Sequence, residues 1–108
     1  MVLTKSFRDL VQDRITREPA FGLALLQEGI DAMLGGDLET GKVLLRDYIK
    51  ATIGFEQLGA AVGTQPKSLI RMFGSRGNPQ ARNLFGVIRY LQQQAGVELH
   101  VTNAHSRP

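Results

Sequence analysis

The side chains able to do chemistry fall into four groups, and three of them lead away from catalysis. The string Gly36-Asp-Leu-Glu-Thr-Gly41-Lys42 fits the opening of a phosphate-binding loop, G-x-x-x-x-G-K. Val43 stands where that loop needs a Ser or Thr for magnesium, and the string follows a helical pattern rather than a strand. A helix start capped by Asp37 accounts for the same residues, so nucleotide binding is not expected. His100 and His105 are the only histidines, cysteine is absent, and no carboxylate beside them completes a ligand set. Neither a metal nor another cofactor is therefore expected. The acidic pairs Asp9/Asp13 and Glu28/Asp31 fall on amphipathic helix faces, where solvation is their ordinary role. No Ser/His/Asp arrangement in an activating setting is present, and the chain does not read as an enzyme.

The fourth group is basic and lies in the segment Phe55 to Phe73. A helix-turn-helix crosses two short helices steeply, so it needs a small residue at the contact, a glycine at the joint and apolar inward positions. Gly59 supplies the first, Gly63 a turn residue able to take a positive φ, and Leu58, Val62, Leu69 and Met72 the apolar positions. With Leu69, Met72 and Phe73 facing inward, the outer face of the second helix carries Pro66, Lys67, Ile70 and Arg71. Laid in a major groove, Lys67 or Arg71 would donate to guanine O6 and N7, and Ile70 or Pro66 would touch a thymine methyl. Gln65, at the helix start, would reach a base or a phosphate. Ser68, Arg76 and the amides of a helix beginning at Asn78 suit phosphate oxygens, which fix orientation without reading sequence. The bland alternative is a solvated basic face on two ordinary core helices.

The elements that must position these residues are helical. Phe7, Leu10 and Val11 have helical spacing behind a Ser6/Asp9 cap, giving a first helix to about Thr16. Pro19 suits the opening of a second, whose apolar face Phe21, Leu25, Leu26, Ile30, Met33 and Leu34 ends at Gly35-Gly36. Asp37 caps a third, with Leu38, Leu44, Leu45, Tyr48 and Ile49 inward, to near Thr52. The fourth opens with Gly54 as N-cap and ends at Gly63, and the fifth begins at Pro66. A sixth is expected from Asn78 as cap and Pro79 as first residue, carrying Leu84, Val87, Ile88 and Leu91 to about Gln94. Val97 to Val101 alternates apolar and polar, the period of a half-buried strand with no partner in this chain. Such a segment either pairs with its copy in a dimer or docks on the helices.

Composition supports one helical domain. The 108 residues are 43% hydrophobic and 21% charged, too apolar for a disordered chain and long enough for one modest core. Charge is uneven: residues 1–50 carry seven Lys and Arg against eight Asp and Glu, or −1, whereas residues 51–108 carry six against two, or +4. The C-terminal half is where an anionic partner would be met. Charges at Lys5, Arg8, Asp9, Asp13 and Arg14 interrupt any export-type apolar run, and nothing approaches the roughly 18 apolar residues of a membrane span. A cytoplasmic protein without membrane contact is expected.

From Asp47 onward, the text DYIKATIGFEQLGAAVGTQPKSLIRMFGSRGNPQARNLFGVIRYLQQQAGVELHV resembles the antitoxins of bacterial toxin-antitoxin (addiction) modules, within the Xre/Cro-like repressor group. The most distinctive part is FGSRGNP followed by a helix, a glycine and the alternating VELHV. The resemblance implies a lambda-repressor-like helix-turn-helix and a homodimer that represses its own operon at a palindromic operator. It further implies a complex with a small, basic toxin, and base-reading residues at Gln65, Pro66, Lys67 and Arg71. The expected architecture is all-α, about six helices with a short C-terminal strand. Residues 1–50 form an N-terminal helical extension, 51–95 the DNA-binding core and 96–108 the strand and tail. Two other functions fit the same text: a stand-alone or prophage-type repressor without a toxin, and a helical protein-interaction module that does not bind DNA.

Overall fold

The computed structural model describes residues 7–103. Six helices follow one another: α1 (Phe7–Arg17), α2 (Pro19–Leu34), α3 (Leu38–Ala51), α4 (Gly54–Val62), α5 (Pro66–Met72) and α6 (Ala81–Ala95). No strand occurs among the described residues. The proposed Ser6 cap lies outside them.

Local chemistry explains most boundaries. Pro19 occupies the first turn of α2, where its missing N–H costs nothing. Asp37 caps α3, its Oδ1 accepting from the Thr40 N–H at 3.1 Å, and the Thr40 contacts hold the Asp37 carboxyl below its usual range. Where α2 and α3 cross, a Cβ added to Gly41 would lie 2.9 Å from the Gly29 carbonyl oxygen, so the two backbones meet closer than side chains allow. At the other end, Gly96 closes α6 in the left-handed conformation with φ +71°.

One core runs through the molecule. Leu26 of α2 and Leu45 and Ile49 of α3 join Phe55 and Leu58 of α4, Leu69 and Phe73 around α5, and Leu84, Val87, Ile88 and Leu91 of α6. Leu26, Leu45, Ile49 and Leu58 have no solvent-accessible surface at all. Removing such side chains from water is the main favourable term in folding.

Three expectations are corrected. Gly54 is not the N-cap of α4 but its first residue, at φ +80°, and Ile53 is the cap residue. Helix α6 begins at Ala81 with Gln80 as its cap residue, not at Asn78, and the Leu84 N–H is the group that bonds the Gln80 carbonyl (2.9 Å). The preceding loop is fixed at Gly77, so Asn78 and Pro79 are spent as the connection to the point where Leu84 docks. The alternating segment Val97–Val101 forms no strand, because a ladder needs a second strand and the described residues offer none. It docks instead. The Val97 N–H donates to the Gln92 carbonyl (3.0 Å) and the Leu99 N–H to Gln92 Oε1 (2.8 Å). Val97 and Leu99 are half-buried while Glu98 and His100 are exposed, so the period of two survives without a sheet.

Among the described residues no helix is long and apolar enough to cross a membrane, and no group of three or more His, Cys, Asp or Glu is placed to hold a metal. His100 does meet one carboxylate, Glu98 Oε1 at 3.3 Å, with both side chains largely in solvent.

Candidate nucleic-acid interface

The candidate interface is built on the joint between α4 and α5. Gly63 adopts φ +73°, a conformation L side chains rarely take, and its N–H returns to the Gly59 carbonyl at 2.9 Å. The Thr64 N–H reaches the same carbonyl at 3.0 Å, so the turn closes on one oxygen. Gln65 is extended, and its carbonyl starts α5 by accepting from Ser68 and Leu69.

Gly59 is where the second helix presses on the first. A Cβ there would lie 2.5 Å from the Thr64 carbonyl oxygen and 3.3 Å from both Cγ and Cδ of Pro66. Glycine is thus demanded by contact rather than by torsion. Pro66 is half-buried against this position, so less of its ring faces outward than the sequence spacing implied.

Helix α5 divides sharply into two arcs. Leu69 and Phe73 are each 1% exposed, and the Phe73 ring tilts at 52° to Phe55 with centroids 6.2 Å apart, within the range of favourable aromatic pairs. Met72 is half-buried beside them. On the opposite arc Lys67, Ser68, Ile70 and Arg71 are exposed, Ile70 at 48% despite being a large aliphatic residue. At 100° per residue these four span about half the helix circumference, with Lys67 and Arg71 at the centre.

After α5 the chain passes through Gly74–Gln80. The Gly74 N–H bonds the Arg71 carbonyl (3.1 Å) and the Gly77 N–H bonds the Gly74 carbonyl (2.9 Å). Gly77 is packed so tightly on the carbonyls of Arg71 and Met72 that no Cβ fits. The loop and α5 border a shallow cleft of about 340 Å³ that gathers Ser68, Arg71, Arg76 and Asn78. Gln65, Lys67 and Ile70 lie outside this cleft, and Arg76 and Asn78 are exposed.

Three residues missed in the sequence complete the picture. Thr64 and Asn83 line the cleft, from the turn and from the first turn of α6. Polar character near a helix start was their only signal. The third is Lys42 of α3, which is 1% exposed. Its Nζ donates to the Gly74 carbonyl (2.9 Å) and the Gly77 carbonyl (2.7 Å) and pairs with Glu39 Oε2 (3.0 Å). An ammonium has three protons, and here there are three acceptors. The signal was present: Lys42 lies four residues after Leu38, three before Leu45 and seven before Ile49, on the apolar stripe of its helix. The phosphate-loop likeness of Gly36–Lys42 thus has a different cause.

No protein-family model, curated protein or solved structure matches the chain.

Proposed function

We propose that the chain is a sequence-specific regulator of transcription that lays the outer arc of α5 in the major groove of double-stranded DNA. The carrying observation is the split of α5: Leu69 and Phe73 anchor it, while Lys67, Ile70 and Arg71 are exposed on the opposite arc. A protruding arc with two cations and one aliphatic side chain matches guanine edges and thymine methyls. Ser68, Arg76 and Asn78, gathered beside Arg71, suit phosphate oxygens, and Gln65 at the start of α5 suits a base or a phosphate. Pro66, resting on Gly59, contributes to the crossing more than to reading. The +4 balance of residues 51–108 favours the same partner.

In its specific form the proposal is a homodimeric antitoxin with a lambda-repressor-like motif, acting on a palindromic operator of its own operon and neutralising a small basic toxin. The resemblance of the segment from Asp47 to Val101 supports that form.

The test is fluorescence anisotropy with the region upstream of the gene and with a scrambled duplex, over a salt series. Tighter binding to the upstream region, with affinity falling steeply as salt rises, is the expected result. Equal affinity for both duplexes would sink sequence-specific reading.

A second reading, a protein-interaction module, is favoured by one observation. Leu34, Phe85 and Val101 are 62%, 64% and 78% exposed and line a groove of about 610 Å³ between α2, α6 and the C-terminal segment. Failure to bind any duplex, with self-association or partner capture abolished by Phe85→Ser, would favour it.

A further inference from the structure

We infer that Lys42 is a positioning residue for DNA binding: through the carbonyls of Gly74 and Gly77 it fixes the loop that presents Arg76 and Asn78 beside Arg71. This rests on the DNA-binding reading proposed above.

The loop has little else to hold it. Between Phe73, which is buried, and Leu84, which is 9% exposed, no large apolar side chain is buried. The backbone bonds at its start are two short-range ones, from the Gly74 N–H back to Arg71 and from the Gly77 N–H to Gly74. Its long-range hydrogen bonds come from Lys42, which stands 32 and 35 positions away in the chain. A lysine at 1% exposure is costly unless all its donors are satisfied. Here they are, and two of the acceptors are backbone oxygens of the loop itself, so the satisfaction of the ammonium and the shape of the loop are one condition.

Gly77 completes the device from the other side. Its lack of a Cβ lets the loop rest on the carbonyls of Arg71 and Met72, so the loop is registered on the end of α5. Arg76 sits between the two carbonyls that Lys42 holds. Its backbone therefore inherits a defined position relative to Arg71, which sets where the guanidinium can reach, as phosphate contacts require if they are to fix orientation.

The experiment uses the full chain and three variants, Lys42→Met, Arg76→Ala and the double variant, with Lys67→Ala as the control partner. Amide hydrogen exchange is followed at Gly74–Asn78 and in α5, and affinity for the upstream duplex is measured over a salt series well below the unfolding temperature of each variant. Lys42→Met is expected to speed exchange in the loop and leave α5 protected. It should also weaken binding about tenfold and lower the slope of log K against log salt by about 1. The double variant with Arg76→Ala should bind no more weakly than Arg76→Ala alone, whereas the effects of Lys42→Met and Lys67→Ala should multiply. A purely stabilising role for Lys42 would lower the unfolding temperature and leave affinity and salt slope of the folded protein unchanged, overturning the inference. Unaltered loop exchange would overturn it equally. If the parent protein binds no duplex, the DNA-binding reading itself has failed; the exchange data then separately decide whether Lys42 holds the loop. Should Lys42→Met not fold, Gly77→Ala displaces the same loop with the lysine retained. The same loss of salt slope, non-additive with Arg76→Ala, is then expected, and full additivity overturns the inference.

Discussion

Lys42 of α3 and Lys67 of α5 both lie in a stretch of ordinary helical sequence, and the two side chains end in opposite places. Lys42 is 1% exposed and bonded to two carbonyls and a carboxylate, while Lys67 stands in solvent on the outer arc of α5. Residue type does not separate them. Position on the helix does: Lys42 shares its stripe with Leu38, Leu45 and Ile49, and Lys67 lies off the stripe of Leu69 and Phe73. A cation on an apolar stripe must find partners inside the protein, and one opposite the stripe is free to find them outside. Helix α3 is thus used for building. Helix α5 builds with one side and offers the other.

The sharpest way to break that division is to attack the building side of α5. Phe73→Ala removes a ring that is 1% exposed and paired with Phe55, and should cost about 3–5 kcal/mol in denaturant unfolding. A loss below about 1 kcal/mol would mean that α5 is anchored elsewhere. Next comes the joint. Gly59→Ala drives a methyl into the Thr64 carbonyl and the Pro66 ring, costing about 1–3 kcal/mol of stability with a parallel loss of DNA affinity. Retained affinity would show that the crossing does not set the reading face.

The offering side should behave inversely. Lys67→Ala and Arg71→Ala should leave stability within about 0.5 kcal/mol, yet each should weaken binding to the cognate duplex by about 1–3 kcal/mol. Arg76→Ala should weaken all duplexes alike. If the three substitutions reduce specific and random binding equally, base reading does not lie on this arc. A smaller effect is expected at the C-terminal segment. Gln92→Ala removes the acceptor for the Leu99 N–H and should cost about 0.5–1.5 kcal/mol, with Leu99 the amide that loses exchange protection.

The smallest effect concerns the fully exposed Asp37, whose carboxyl is held below its usual range by Thr40, first by its side chain and then by its backbone N–H. A lowered carboxyl pKa contributes stability above the unfolded value and loses it as pH falls through the folded one. The Tm difference between the parent and Asp37→Ala should therefore be present at neutral pH and close in acid. A difference that persists below that range would detach the cap from the charge.

Much of this was legible in the sequence because it rests on short-range rules. Pro19 and Pro66 opened helices, Asp37 capped one, Gly63 turned the chain, and the inward positions of α6 followed from spacing alone. The start of α6 was misplaced by two residues at each of Asn78 and Pro79, since the caps they resembled are local while the constraint on the loop comes from α3. The strand at Val97–Val101 failed for a related reason: alternation specifies which residues are buried, not whether a neighbouring backbone is there to pair. The cleft joining Ser68, Arg71, Arg76 and Asn78 depends on the same distant lysine, whose partners are carbonyls and so leave no mark on residue type.

The dependence of the loop on Lys42 bears on how the reading unit would travel. Residues 55–80 look like a cassette suited to grafting onto another helical scaffold, but the carbonyls of Gly74 and Gly77 take donors from outside it. A host lacking a cation at the equivalent point would receive α4, its turn and α5 intact, and a loop without its clasp. Under the proposed DNA-binding function, such a transplant would keep the arc of Lys67 and Arg71 while losing the orientation assigned to Arg76, giving contact with bases but poor alignment along the duplex.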